Sequence, residues 1–79
     1  MNISGIIVCA RPERAEQVRR TATDLPGVEV HALTKEGRLV VTIEGEDTQE
    51  LADVHQQLSR IDGVFATAVV YHHFEPDHH

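Results

Sequence analysis

Six runs of apolar residues punctuate this chain, and the spacing inside each run assigns it to a strand or a helix. Ile3-Ser4-Gly5-Ile6-Ile7-Val8-Cys9-Ala10 is rich in β-branched residues and apolar at both alternating sets, which predicts a central strand. Arg11-Pro12-Glu13-Arg14 then opens a helix, because Pro at the first helical position sacrifices no hydrogen bond and Glu13 meets the positive end of the helix dipole. Ala15, Val18, Ala22 and Leu25 form its apolar face, and Pro26-Gly27 stops it just after Asp24. Val28 to Leu33 alternates apolar and polar residues, as a half-exposed strand does. Residues 34–38 predict a hairpin loop with Gly37 at a positive φ, and Leu39 to Glu44 the returning strand. Asp47 with Glu50 three positions on predicts a capping box for a second helix, which carries Leu51, Val54, Leu58 and Ile61 on one face. Ile61-Asp62-Gly63 leaves that helix, and Val64 to Tyr71 is the last strand.

The second half repeats the first at an offset of 36 positions: Ala15 aligns with Leu51, Val18 with Val54, Ala22 with Leu58 and Gly27 with Gly63. Two strand-helix-strand units with right-handed crossovers give an α+β, ferredoxin-like βαββαβ plait. Its four-stranded antiparallel sheet takes the spatial order fourth, first, third, second, with two helices on one face and the other face open. One domain over residues 1–75 and a short tail, 76–79, account for the chain. If Val28, Val30 and Ala32 face the helices, the repeat puts Val64, Ala66, Ala68 and Val70 there too. Phe65, Thr67, Val69, Tyr71 and His73 then point outward, together with Val40, Thr42 and Glu44. The first strand leaves two choices, Ile6, Val8 and Ala10 or Gly5, Ile7 and Cys9. Either one leaves an apolar strip rimmed by acids, which is the mark of a partner-binding face or of a weak homodimer surface.

Charge and composition narrow the partner. Acids outnumber bases 13 to 7 for a net charge of −6, so the clustered cationic face that nucleic acid requires is missing, and a basic peptide is the better electrostatic match. A lone Cys9 excludes an intramolecular disulfide and any Cys-x-x-Cys pair. No apolar run approaches the roughly 18 to 20 residues that span a bilayer. The start, Met1-Asn2-Ile3-Ser4, lacks the basic region of a secretory signal, so a cytoplasmic location is expected.

Catalysis finds no support in the residues. No Ser-His-Asp grouping, glycine-rich phosphate loop or helical metal motif occurs. His72-His73 and Asp77-His78-His79 are metal-ligand types, yet adjacent residues of a strand point to opposite faces, so no metal site and no cofactor are expected.

The segments Gly5-Ile6-Ile7-Val8-Cys9-Ala10-Arg11-Pro12-Glu13-Arg14, Leu25-Pro26-Gly27-Val28-Glu29-Val30, Gly63-Val64 and Val69-Val70-Tyr71-His72 together resemble the NapD family. The likeness runs from about Ile3 to Glu75 and is most specific in its Val-Tyr-His ending. It implies a small cytoplasmic chaperone that binds the twin-arginine signal peptide of the periplasmic nitrate reductase catalytic subunit. Such a chaperone holds the precursor back from the Tat exporter until its molybdenum cofactor and iron-sulfur cluster are inserted. The resemblance does not fix the site; the outward pattern assigns Val8, Val40, Phe65, Val69 and Tyr71 to the apolar part and Glu44 or Glu29 to the arginines, with Ile6 and Thr42 completing the expected peptide-binding set. The alternative is an ACT-like regulatory or dimerisation domain of the same fold, which would bind a small molecule.

Overall fold

Element borders follow the local chemistry. The computed structural model describes residues 1–74, in the order β1 (Asn2–Ala10), a 3-10 turn (Pro12–Arg14), α1 (Ala15–Thr23), β2 (Val28–Leu33), β3 (Arg38–Gly45), α2 (Thr48–Ser59) and β4 (Val64–Phe74). Pro12 opens the first helical segment as expected. An i→i+3 bond from the Arg14 amide to the Arg11 carbonyl, at 2.8 Å, tightens this turn before α1 proper begins. Asp47 caps α2, its carboxylate accepting from the Glu50 amide at 2.8 Å. β4 continues past Tyr71 to pair with the start of β1. Glu75 and the expected tail, 76–79, lie outside the described residues, as do His78 and His79.

The internal repeat extends to the backbone hydrogen bonds. Leu25 donates to Ala22 and Val28 to Leu25, and 36 positions later Ile61 donates to Leu58 and Val64 to Ile61. Both turns pass through a glycine in the left-handed region, Gly27 at φ 76° and Gly63 at φ 102°, where any other residue is strained. The carbonyl of each glycine accepts at 2.9 Å from a neighbouring chain segment, Gly27 from Glu44 and Gly63 from Arg11. Each helix-to-strand turn is thereby stitched to one end of the sheet.

The sheet has the order β2-β3-β1-β4, and every neighbouring pair is antiparallel. Both helices cover the same side. Their buried stripes, Ala15, Val18 and Ala22 on α1 and Leu51, Val54 and Leu58 on α2, meet Ile6, Val8, Leu39, Val41 and Ile43 of the central strands. Burial of each Val, Leu or Ile side chain among them contributes about 1.5–3 kcal/mol against unfolding. The choice left open for β1 is thus resolved: Ile6, Val8 and Ala10 face the helices, while Gly5, Ile7 and Cys9 face the other way. Ser4 continues the inward set as a polar residue, its hydroxyl paired with His72 Nδ1 at 3.0 Å. No buried side-chain nitrogen or oxygen among the described residues lacks a partner.

Strict alternation fails on the two outer strands. β2 slips between Val30 and Ala32, so Leu33 rather than Ala32 packs on the core. β4 slips twice against β1, at Phe65 and at Val70. Each bulge adds one unpaired residue and reverses the facing of everything after it, until the second restores the original phase. Between the bulges Ala66 and Ala68 therefore lie opposite Cys9 and Ile7 on the open face. Thr67 and Val69 lie opposite Val8 and Ile6 on the helix side. Such slips belong to sheet edges, where they also discourage pairing with a second edge.

Candidate functional site

The uncovered face is built chiefly from the outward residues of three strands. β1 supplies Gly5 and Ile7, β3 supplies Val40 and Thr42, and β4 supplies Val70 and Tyr71. Together they line a shallow, mostly apolar cleft of about 170 Å³. Val40, Val70 and Tyr71 are 39%, 62% and 49% exposed, a large apolar area for one sheet face. Gly5 is buried all the same, because the Tyr71 ring lies across it. On β2, the residue at the slip, His31, places its Nε2 2.7 Å from the Thr42 hydroxyl and closes the face on that side.

Charge sits at the two ends of the strip. Glu44 ends the outward set of β3, and Glu29 lies opposite Thr42 on the edge strand, both exposed. Arg38 begins the same outward set at the far end, opposite Cys9. The Glu16–Arg19 pair on α1 is remote from this face. There the Arg19 side-chain hydrogen bond holds the Glu16 carboxyl below the usual carboxylate range.

Of the residues expected to bind peptide, Val40, Thr42, Glu29, Glu44 and Tyr71 come together on or around this face. Ile6 also borders this cleft, but neither its side chain nor that of Val8 points there. The two residues are 1% and 0% exposed, turned into the helices, and cannot present side chains to a ligand on the open face. Val69 is 53% exposed but turned to the helix side by the first bulge. With Leu51, Ala52, His55 and His72 it lines a separate cleft of about 220 Å³ between α2 and β4. Phe65 is that bulge's extra residue, 69% exposed, and lines a polar cleft with Arg11 and Arg60 at the end of the sheet. Reading by alternation missed Ala66, Ala68 and Val70, and left Ile7 as one of two choices for the first strand. No residue signature marks the bulges that turn Ala66, Ala68 and Val70 outward. His55 ties α2 to β4 through Thr67, with Nε2 3.0 Å from the hydroxyl.

No group of three or more metal-ligating side chains forms among the described residues, and no helix among them is long and apolar enough to cross a membrane.

The comparisons agree with this architecture. A family model described as NapD protein matches residues 1–76. Chaperone NapD of Paracoccus pantotrophus is 37% identical over 76 residues, covering 96% of this chain and 67% of the relative. Chaperone NapD of Escherichia coli (strain K12) is 30% identical over 74 residues, covering 92% of this chain and 85% of the relative. Among solved structures, that of the E. coli Tat proofreading chaperone protein NapD superposes with a TM-score of 0.84 at 28% identity, over 98% of this chain and 88% of that one. The crystal structure of a Thermus thermophilus protein, TTHA0845, gives 0.82 at 26% identity over the full length of both chains. The matched relatives carry the name of a chaperone and not of an enzyme. From its first strand to its last, this chain belongs to the NapD family.

Proposed function

We propose that this chain binds the twin-arginine signal peptide of the periplasmic nitrate reductase catalytic subunit on its open sheet face. It thereby keeps the precursor on the cytoplasmic side until the molybdenum cofactor and iron-sulfur cluster are in place. Membership of the NapD family supports the reading, as does the structural likeness to an E. coli protein described as a Tat proofreading chaperone. The observation that carries it is the uncovered apolar cleft of Ile7, Val40, Val70 and Tyr71 with Glu29 and Glu44 at one end.

A twin-arginine leader has a basic start followed by an apolar segment. The two parts call on different forces. Apolar side chains of the peptide lose water against the cleft and supply the affinity, about 25 cal/mol per Å² buried before association costs are met. Exposed carboxylates facing guanidinium groups add little, about 0–1 kcal/mol per pair, but they speed encounter and favour leaders that carry the arginines. Binding occupies the segment that the exporter must read, so the chaperone complex and the exporter compete for the same residues. No bond of the client is made or broken.

Thermal unfolding with and without a synthetic twin-arginine peptide tests the proposal. At one hundred times Kd, the peptide stabilises the fold by about 2.7 kcal/mol. Free amino acids, the ligands of the ACT-like alternative, leave Tm unchanged. Stabilisation by an amino acid and not by the peptide would overturn the proposal.

A further inference from the structure

We infer that the open face is directional: it accepts a peptide with its arginines at the Glu29–Glu44 end and its chain running in the same sense as β1, towards Arg38. The inference rests on the function proposed above and fixes the orientation of that bound peptide.

Along β3 the outward side chains are Arg38, Val40, Thr42 and Glu44, so a single strand carries a cation, an apolar residue, a hydroxyl and an anion in sequence. Six residue steps along the strand separate the two charges by about 20 Å. Beside it, the outward residues of β1, Ile3, Gly5, Ile7 and Cys9, carry no charge. Neighbouring segments reinforce both poles. At one end Glu29 flanks Thr42 from β2 and Glu46 follows β3. At the other, the Ala10 amide bonds to the Gly37 carbonyl and the Arg11 amide to the Gly63 carbonyl, at 2.8 and 2.9 Å. Those bonds gather the end of β1, the β2–β3 hairpin and the α2–β4 turn, and so bring Arg11, Lys35 and Arg60 to the Arg38 end. Glu36 and Asp62 are the acids in those loops, and Asp62 is paired with Arg14 at 3.5 Å.

A chain of net charge −6 thus concentrates cations at one end of its binding strip. With a Debye length of about 8 Å at physiological ionic strength, the two poles act separately, each on the peptide terminus that lies beside it. A peptide entering N-terminus first at the acidic end sets its arginines against Glu29 and Glu44. Entry in the opposite sense sets them against Arg38 and Arg11, replacing attraction by repulsion while the apolar contacts stay the same.

Cys9 faces the open side opposite Arg38, and as the only cysteine of the chain it reports on that pole. Two synthetic twin-arginine peptides would each carry a cysteine activated as its thionitrobenzoate disulfide, one ahead of the arginines and one after the apolar segment. Attack by the Cys9 thiolate joins protein to peptide and releases coloured thionitrobenzoate, which gives the rate. The expected result is reaction on the order of tenfold faster with the cysteine after the apolar segment, because proximity raises the effective concentration. In a Cys9→Ser, Ile3→Cys variant, whose thiol sits opposite Glu44, the preference is expected to invert. Equal rates, or the opposite preference, would overturn the direction while calorimetric binding persists. If Cys9 reacts with neither peptide, the Ile3→Cys variant decides. Absence of binding to the wild-type chain would instead overturn the function on which the inference rests.

Discussion

The ring of Tyr71 lies across Gly5, its partner in the β1–β4 ladder. A Cβ added at Gly5 would sit 2.9 Å from Tyr71 Cζ and nearer still to Cδ1 and Cε1, well inside van der Waals contact. An aromatic laid over a strand glycine covers backbone that would otherwise be bare, and here it also builds one wall of the cleft. Gly5→Ala is therefore expected to destabilise the fold by about 1–3 kcal/mol through overpacking. In a Tyr71→Ala background the same change becomes neutral or stabilising, since glycine inside a strand costs about 0.5–1 kcal/mol relative to alanine. Urea unfolding of the four proteins of this cycle measures the coupling, and additive effects would show that the two residues do not share the space.

Inward and outward positions separate by phenotype. Ile6→Ala, in the core, should cost about 2–5 kcal/mol of stability. Val40→Asp, on the open face, should change stability by no more than about 0.5 kcal/mol while weakening peptide binding. Denaturant midpoints and calorimetry on the same samples check the split. A Val40→Asp protein that unfolds early but binds normally would reverse the assignment.

That split also marks how far the sequence could be read. The plait, its strand order, the Asp47 cap and the repeat of Gly27 at Gly63 were all legible, because each rests on local chemistry or on periodicity. Val40, Thr42 and Glu44 were placed correctly because β3 is an unbroken central strand. β4 was not legible in the same way. Its bulges at Phe65 and Val70 leave no residue signature that distinguishes them from regular strand, and each shifts the facing by one. Tyr71 came out on the expected side because the two slips cancel, and Val69 did not because it lies between them.

Salt should report on the acidic end. Raising ionic strength weakens the wild-type complex, because exposed charges are screened over about 8 Å at physiological salt. Glu29→Gln combined with Glu44→Gln should flatten that dependence and lower the association rate more than it raises the dissociation rate. Stopped-flow binding at several salt concentrations measures both, and an unchanged salt slope in the double variant would remove these acids from the site.

Glu16 on α1 gives a pH signature independent of binding. Its hydrogen bond from Arg19 lowers its folded pKa below the ordinary value of 4.5. The stabilisation is complete above that unfolded value and is lost as the pH falls through the lowered folded one. Glu16→Gln should therefore be less stable than wild type near neutrality, with the two curves converging in acid. A constant gap across the range would exclude the pair as its cause.

The central claim is that the open face, and not the α2–β4 cleft, receives the signal peptide. Amide chemical-shift mapping during titration with a synthetic twin-arginine peptide addresses it residue by residue. The largest changes are expected at Gly5, Ile7, Val40, Thr42, Val70 and Tyr71, which line the open cleft. Changes gathered instead at Leu51, Ala52, His55, Val69 and His72, with the open face silent, would contradict it.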